Sequence, residues 1–319
     1  CMFVAVHVVG MALQPARPPI RGGGPSPPIR AIVTDIDGTL FPFGTSPTLS
    51  QRNADALNTA LDAGVHVSLA TGRIPGPWCE RISGPVPRVG ASVFSNGALV
   101  LDAHGAVLSE RHLLPETVAA VVEHTRGGRA AGGGRLAVLA CARWEAAGPS
   151  FGSLRYLELS PDGEESWATE LIRAAGEPDT VRLRSFALEG RAVLKFVIFT
   201  RPDEPGWASM ADTVSALRQR GVDVLDCGAK QCEVLPPGTH KGNGVEVLLR
   251  HLQVAPAEAM ACGDAENDVE MLGLVGLGVA MGNANPLARA AANAVVGTND
   301  EDGVAEAVQR YVLGAHAAS

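Results

Sequence analysis

Acidic residues stand together where short apolar runs end. Asp35 and Asp37, in Asp35-Ile36-Asp37-Gly38-Thr39-Leu40, follow the β-prone run Ala31-Ile32-Val33-Thr34. Strand side chains alternate, so acids at i and i+2 leave a strand end on the same side. Carboxylates held that close repel unless a cation or a proton intervenes. Gly38 lets the chain turn sharply beneath them. The pair suits Mg²⁺ binding together with attack by one carboxylate on an electrophile. The plainer alternative is an acidic turn that caps a helix. A second cluster, Gly263-Asp264-Ala265-Glu266-Asn267-Asp268, follows the apolar run 259–262. Acids and an amide crowded on one strand-to-helix turn are hard oxygen ligands at a density that favours Mg²⁺. Acids complementing a helix dipole would account for Glu266 or Asp268 but not for the whole set.

Two further positions fit an anionic ligand. Thr71-Gly72-Arg73 ends the run 65–70. A hydroxyl and a free backbone N–H beside a glycine can hold a phosphate oxygen; an N-cap threonine explains the tripeptide equally well. Lys241, in Gly238-Thr239-His240-Lys241-Gly242, opens a predicted helix, where a cation is unfavourable unless an anion is near. The chain has only three lysines, Lys195, Lys230 and Lys241, among 26 basic residues. With arginine used almost everywhere else, a compact ammonium at 241 points to a point-charge role that a guanidinium would not fill. A solvated surface lysine is the alternative. His240 is a candidate substrate contact, and Lys195 and Lys230 receive no role.

The elements that must position these residues follow from periodicity. A strand at 31–34, a helix at 50–63 stopped by Gly64, a strand at 65–70, a helix after Pro77 and a strand at 91–94 alternate in order. Polar residues at each strand's carboxyl end predict a parallel α/β sheet with a ligand in the crevice there. From 105 the character changes. Strands are expected at 136–141, 155–159, 181–188 and 192–199, and helices at 115–126, 163–176 and 206–220. The stretch 126–135 is a low-complexity loop, and hairpin-like spacing spans 186–199 around Glu189-Gly190-Arg191. This reads as an inserted α+β unit. The α/β pattern resumes near 234, with helices at 241–252, from 269, at 287–292 and at 303–313, and strands at 259–262, 277–280 and 294–296. The organisation is therefore a leader or linker at 1–28, a core of 29–104 plus 234–319, and an insert of 105–233.

Composition supports a packed enzyme-sized chain: 319 residues, 46% hydrophobic and 19% charged, enough for a large core and incompatible with general disorder. The net charge of −8 argues against nucleic acid or an anionic membrane as partner. No apolar run reaches the roughly 18 residues that span a bilayer. The six cysteines form no C-x-x-C pair and read as buried, reduced thiols. The leader is rich in Pro and Gly, and the first acid of the chain is Asp35. A cytoplasmic address is the default, and an acid-free, Arg-bearing leader resembling a transit peptide is the organelle alternative.

Taken in order, these motifs resemble the haloacid dehalogenase superfamily of phosphohydrolases. D-x-D-G-T-L, T-G-R, Ser95-Asn96-Gly97-Ala98, K-G, G-D-x-x-N-D-x-E-M-L and Gly278 to Ala284 (G-V-A-M-G-N-A) are similar to its Cof-like subfamily with a type-IIB cap. The resemblance runs from about residue 30 to about 312. It implies a Rossmann-like core with an inserted α+β cap, and a Mg²⁺-dependent phosphatase of small phosphate esters. It implies Asp35 as a nucleophile forming an aspartyl-phosphate, and Asp37 as general acid and base. Thr71, Gly72 and Lys241 would hold the phosphoryl oxygens. Asp264 would ligate Mg²⁺ with Asp35 and the backbone carbonyl of Asp37, Asp268 would complete or orient that shell, and Asn96, Asn267 and Asn283 would support it. Sugar phosphates lead as substrates, ahead of nucleotide, flavin and pyridoxal phosphates. A phosphotransferase or phosphomutase on the same core, and a non-catalytic phosphoester-binding regulator, are the alternatives. The oligomeric state is left open.

Overall fold

A computed structural model describes residues 27–42, 48–125, 129–130, 132–143, 154–159, 167–178, 180–182, 188 and 191–314. Most of the expected leader, with Gly44 and Pro47, lies outside the described residues. In chain order the first elements are β1 (Ala31–Thr34), α1 (Gln51–Asp62), β2 (His66–Leu69), α2 (Glu80–Ser83), β3 (Ser92–Phe94), β4 (Leu99–Leu101) and β5 (Val107–Glu110). Then come α3 (Pro115–His124), β6 (Ala137–Arg143), β7 (Leu154–Glu158), α4 (Trp167–Ala174), β8 (Thr180–Arg182), β9 (Val193–Phe199), α5 (Met210–Gln219), β10 (Val224–Asp226) and β11 (Gln231–Val234). The chain ends with α6 (Lys241–Leu252), β12 (Ala259–Gly263), α7 (Val269–Leu274), β13 (Leu277–Ala280), α8 (Pro286–Ala291), β14 (Ala294–Val295) and α9 (Gly303–Ala307), which runs on as a π-helix through Val308–Leu313.

Five parallel strands form the core sheet in the order β14-β13-β12-β1-β2. Every residue of β1 and β12 is buried, which is why both read as unbroken apolar runs. From β1 the chain passes to β2 on one side and, much later, to β12 on the other. That reversal opens a crevice at the carboxyl end of β1. Register is fixed by Thr34 standing opposite both Cys262 and Leu69. Asp35, Asp264 and Thr71 therefore leave neighbouring strand ends together.

The expected third parallel strand is different. β3 pairs antiparallel with β4, and β4 with β5, in a separate three-stranded ribbon. It joins the end of β2 through the parallel bridge Ala70 to Val93 and the Leu69 N–H donating to Ser92 Oγ. Beside β2, β3 keeps the expected parallel sense, and the difference lies in its antiparallel neighbour β4, which a three-residue apolar run does not specify.

The inserted unit is a six-stranded sheet ordered β10-β11-β9-β6-β7-β8, antiparallel except for β7 with β8. Most of the hairpin-like stretch 186–191 lies outside the described residues, as does 183–185 before it. β9 lies between β11 and β6, while β8 stands at the far edge. Strands β10 and β11 were not expected. One sheet face packs Val138, Ala140, Phe196 and Ile198 against Val121 of α3 and Val214 and Leu217 of α5. The alternate residues Leu139, Cys141, Val197 and Phe199 join the same buried cluster as the core sheet. No helix among the described residues is long and apolar enough to cross a membrane. Cys79, Cys141, Cys227, Cys232 and Cys262 are free thiols, with Cys227 exposed rather than buried as expected.

Candidate active site

The centre of the site is Lys241. It is the first residue of α6, whose N-cap His240 accepts from the Asn243 N–H through Nδ1 while its own N–H donates to Asn243 Oδ1. That capping box gives His240 a structural task through Nδ1 and the backbone N–H. Lys241 is fully buried, and its Nζ lies 2.7 Å from Asp35 Oδ1 and 2.7 Å from Asp268 Oδ1. Two carboxylates thus offset a cation at a helix N-terminus.

Around it the strand ends converge. Ligand oxygens of Asp35, Asp264 and Asp268 lie within 4.8 Å of one another, and all three residues are buried. Asp268 Oδ2 accepts from the backbone N–H groups of Asp264 and Ala265, which locks the turn after β12. Thr39 Oγ1 donates to Asp264 Oδ1 at 2.9 Å, joining the first acidic loop to the second. Burial pushes the Asp35 carboxyl well above the usual range; Asp268 and Asp264 add to this and Lys241 opposes it. Burial, then Asp268, pushes Asp264 up to about 6. Burial pulls Lys241 down, but Asp268 and Asp35 outweigh it and leave its pKa raised. Three buried carboxylates facing one ammonium carry an excess of negative charge, and hard oxygen donors at this spacing fit a divalent cation such as Mg²⁺.

Asp37 points elsewhere. Arg73 grips both of its oxygens, Nε to Oδ2 at 2.7 Å and Nη2 to Oδ1 at 2.6 Å. The same guanidinium lies over the ring of buried Trp78 and donates through Nη1 to the Ala175 carbonyl of the inserted unit. Thr71 is buried and its hydroxyl accepts from the Arg73 N–H. The Gly72 carbonyl accepts from Lys195 Nζ at 2.7 Å. A Cβ at Gly72 would lie 3.2 Å from Asn96 Nδ2.

The asparagines form bridges. Asn96 Nδ2 donates to Glu233 Oε2, and Asn267 Nδ2 donates to Asn96 Oδ1, each at 2.9 Å. Asn283 donates to the Gly38 carbonyl and accepts from the Asn299 N–H, tying the turn beneath Asp35 and Asp37 to the closing segment. The ten expected site residues therefore gather at one crevice, with the Asp37 side chain and Asn283 at its margins.

Lys195, Glu233 and Glu177 carried no expectation. Lys195 is buried, donating 2.8 Å to Glu233 Oε1, and Glu177 stands 3.8 Å from Arg73 Nη1. A lysine inside the seven-residue apolar strand VLKFVIF was the available signal, since a buried charge demands a partner. Lys230, by contrast, pairs with Asp203 on the surface.

The family model described as haloacid dehalogenase-like hydrolase matches residues 32–308. A protein of Arabidopsis thaliana named endoribonuclease YBEY, chloroplastic, is 32% identical over 301 residues, covering 90% of this chain and 47% of that relative. The chain thus spans about half of that relative's length. A phosphoglycolate phosphatase of Natronomonas pharaonis is 29% identical over 288 residues, 88% of this chain and 97% of that one. Among solved structures, the subclass IIB sugar phosphatase BT4131 superposes with a TM-score of 0.70 at 22% identity, covering 90% of this chain and 99% of the other. At that identity the likeness speaks to the fold.

Proposed function

This chain belongs to the haloacid dehalogenase-like hydrolase family, and we propose that it is a Mg²⁺-dependent phosphatase of small phosphate esters, sugar phosphates foremost. The observation that carries the reading is the contact of Lys241 Nζ with Asp35, set within a cluster of three buried carboxylates. A phosphate dianion approaches a carboxylate only where cations offset both, and phosphoryl transfer needs chiefly positioning and charge neutralisation.

In the proposed reaction an Asp35 oxygen attacks phosphorus, the ester P–O bond breaks, and the leaving oxygen takes a proton from Asp37. Water, giving its proton to Asp37, then attacks the aspartyl-phosphate. Phosphate leaves and Asp35 is regenerated. Lys241, the Thr71 hydroxyl and the Gly72 N–H hold the phosphoryl oxygens, the Thr71 N–H being donated to the Val93 carbonyl. Arg73 occupies both Asp37 oxygens, so proton delivery requires one of those hydrogen bonds to open as substrate enters. Asp35, Asp264, Asp268 and the Asp37 carbonyl would hold Mg²⁺, which when bound supplies Lewis-acid polarisation of the phosphoryl group. The insert, residues 105–233, acts as a cap that keeps water out and limits substrates to small molecules. The plastid in the Arabidopsis relative's name supports an organelle address over the cytoplasm.

The test is Mg²⁺-dependent phosphate release from an aryl phosphate. Asp35→Asn should lower it by about 10⁴-fold or more. Activity that survives the substitution removes Asp35 as nucleophile.

A further inference from the structure

Between core and cap lies a cavity of about 540 Å³. Asp35, Asp37 and Gly72 line its floor, and Tyr156, Ile172, Val197 and Phe199 give its cap side an apolar surface. Two lining cations, Arg73 and Lys195, are each already held by a carboxylate, Asp37 and Glu233. Glu177, which also lines the cavity, has a hydrogen bond from the Ile74 backbone N–H but no cation within hydrogen-bond distance. Its side chain is 5% exposed, and Oε1 stands 3.8 Å from Arg73 Nη1, too far for a hydrogen bond. Oε2 is buried with no hydrogen-bond partner. A buried carboxyl oxygen left alone is costly, so a site that keeps one is built to be completed by something else.

The position says what completes it. Glu177 follows α4 in the Ala175-Gly176-Glu177 loop, whose Ala175 carbonyl takes Arg73 Nη1. Arg73 is the link between Glu177 and Asp37, the proton donor to the leaving oxygen. Through Arg73, Glu177 therefore lies on the Asp37 side of the cavity, the side of the leaving group in the proposed reaction. Burial pushes the Glu177 carboxyl up to about 8, with Arg73 and Lys195 opposing. At neutral pH it holds a proton and can both donate and accept. A hydroxyl matches that chemistry, and the apolar wall beside it suits the C–H faces of a polyol.

We propose that Glu177 is a specificity-determining residue of the cap, whose unpartnered carboxyl oxygen binds a hydroxyl of the leaving group and selects polyhydroxylated phosphate esters over hydrocarbon esters of the same shape. The inference rests on the phosphatase reading for where the phosphate sits. A site that hydrogen-bonds a substrate hydroxyl rejects the analogue lacking it, because its own polar group is then stranded.

The experiment measures calorimetric Kd values with Mg²⁺ in the Asp35→Asn background, for glucose 6-phosphate and cyclohexylmethyl phosphate. The sugar ester should bind about tenfold more tightly or better. Glu177→Leu should bring the two within about threefold, and Glu177→Gln, which can still hydrogen-bond, should keep most of the preference. Glu177→Ala serves the same comparison where Leu does not fold. Equal Kd values in the parent, or a preference that survives Glu177→Leu and Glu177→Ala, overturns the assignment. Failure of the phosphatase reading is seen separately, as wild-type protein that releases phosphate from neither ester. Binding of neither overturns both.

Discussion

At the scale of single residues the site is a balance of buried charge around Lys241. Its ammonium touches Asp35 and Asp268 directly, each at 2.7 Å. Replacing it by methionine keeps the stem's volume and strands both acids. Breaking a buried pair in this way costs about 3–5 kcal/mol. Lys241→Met should therefore lose stability on that scale in denaturant melts, and lose kcat by about 10²–10³ through the missing phosphoryl contact. Glu177 makes the opposite kind of test, because it is a protonated acid rather than a paired one. Its folded-state pKa is raised from 4.5 to about 8 by burial, against the pull of Arg73 and Lys195 and with Asp37 adding to the rise. Between those values the folded chain holds a proton that the unfolded chain has released. Stability from this group is complete below pH 4.5 and is lost as pH rises through about 8. The Tm difference between wild type and Glu177→Gln should accordingly shift in the variant's favour from pH 6 to pH 9. A difference that stays flat across that range would mean the carboxyl is already ionised.

At the scale of elements, three parallel strand ends and one helix start are brought together, and a strained turn locks them. Ser95, Asn96 and Gly97 all have positive φ, at 50°, 53° and 99°. The turn aims Asn96 between Asn267 and Glu233 and brings Gly97 against α6. A Cβ on Gly97 would meet the His240 carbonyl at 2.3 Å, and His240 is the N-cap that sets Lys241 in place. Gly97→Ala combines a left-handed backbone with a clash against main chain. It should cost about 2 kcal/mol or more and lower kcat through displacement of Lys241. Equilibrium unfolding and steady-state kinetics read the two effects together. This turn was legible only as the motif Ser-Asn-Gly, because nothing in a local pattern says that an asparagine there will reach Glu233, 137 residues away. The strands β1, β2 and β12 were legible for the converse reason. Burial on both faces makes β1 and β12 short apolar runs, β2 is buried beyond its first residue, and each run stops at the residues proposed for the chemistry.

At the scale of the whole molecule, core and cap meet through the site itself. Arg73 reaches the Ala175 carbonyl, the Trp78 N–H reaches the Gly176 carbonyl, and Lys195 reaches the Gly72 carbonyl. The core half of this arrangement could be read from spacing, since its acids cluster within a few residues. The cap half could not, because its polar groups lie singly among apolar ones and find partners over 100 residues away. Lys195 and Glu233 are the instructive pair. They satisfy each other across β9 and β11, and each also reaches the core, through Gly72 and Asn96. Two roles are thus superimposed, holding the cap sheet together and fastening it to the Gly72 loop, and a double-mutant cycle separates them. Lys195→Met or Glu233→Met alone strands a buried charge and should cost about 3–5 kcal/mol. The double variant replaces the pair by apolar groups of similar volume, which is often neutral, so most of that stability should return. Activity should not return with it. The Gly72 carbonyl and the Asn96 amide still lack their cap partners, and misplacement of that loop keeps kcat/KM about tenfold or more below wild type. A double variant that recovers stability and turnover together would confine the pair to packing within the cap. Recovered stability with lost turnover makes it the fastening through which cap position reaches the phosphate site.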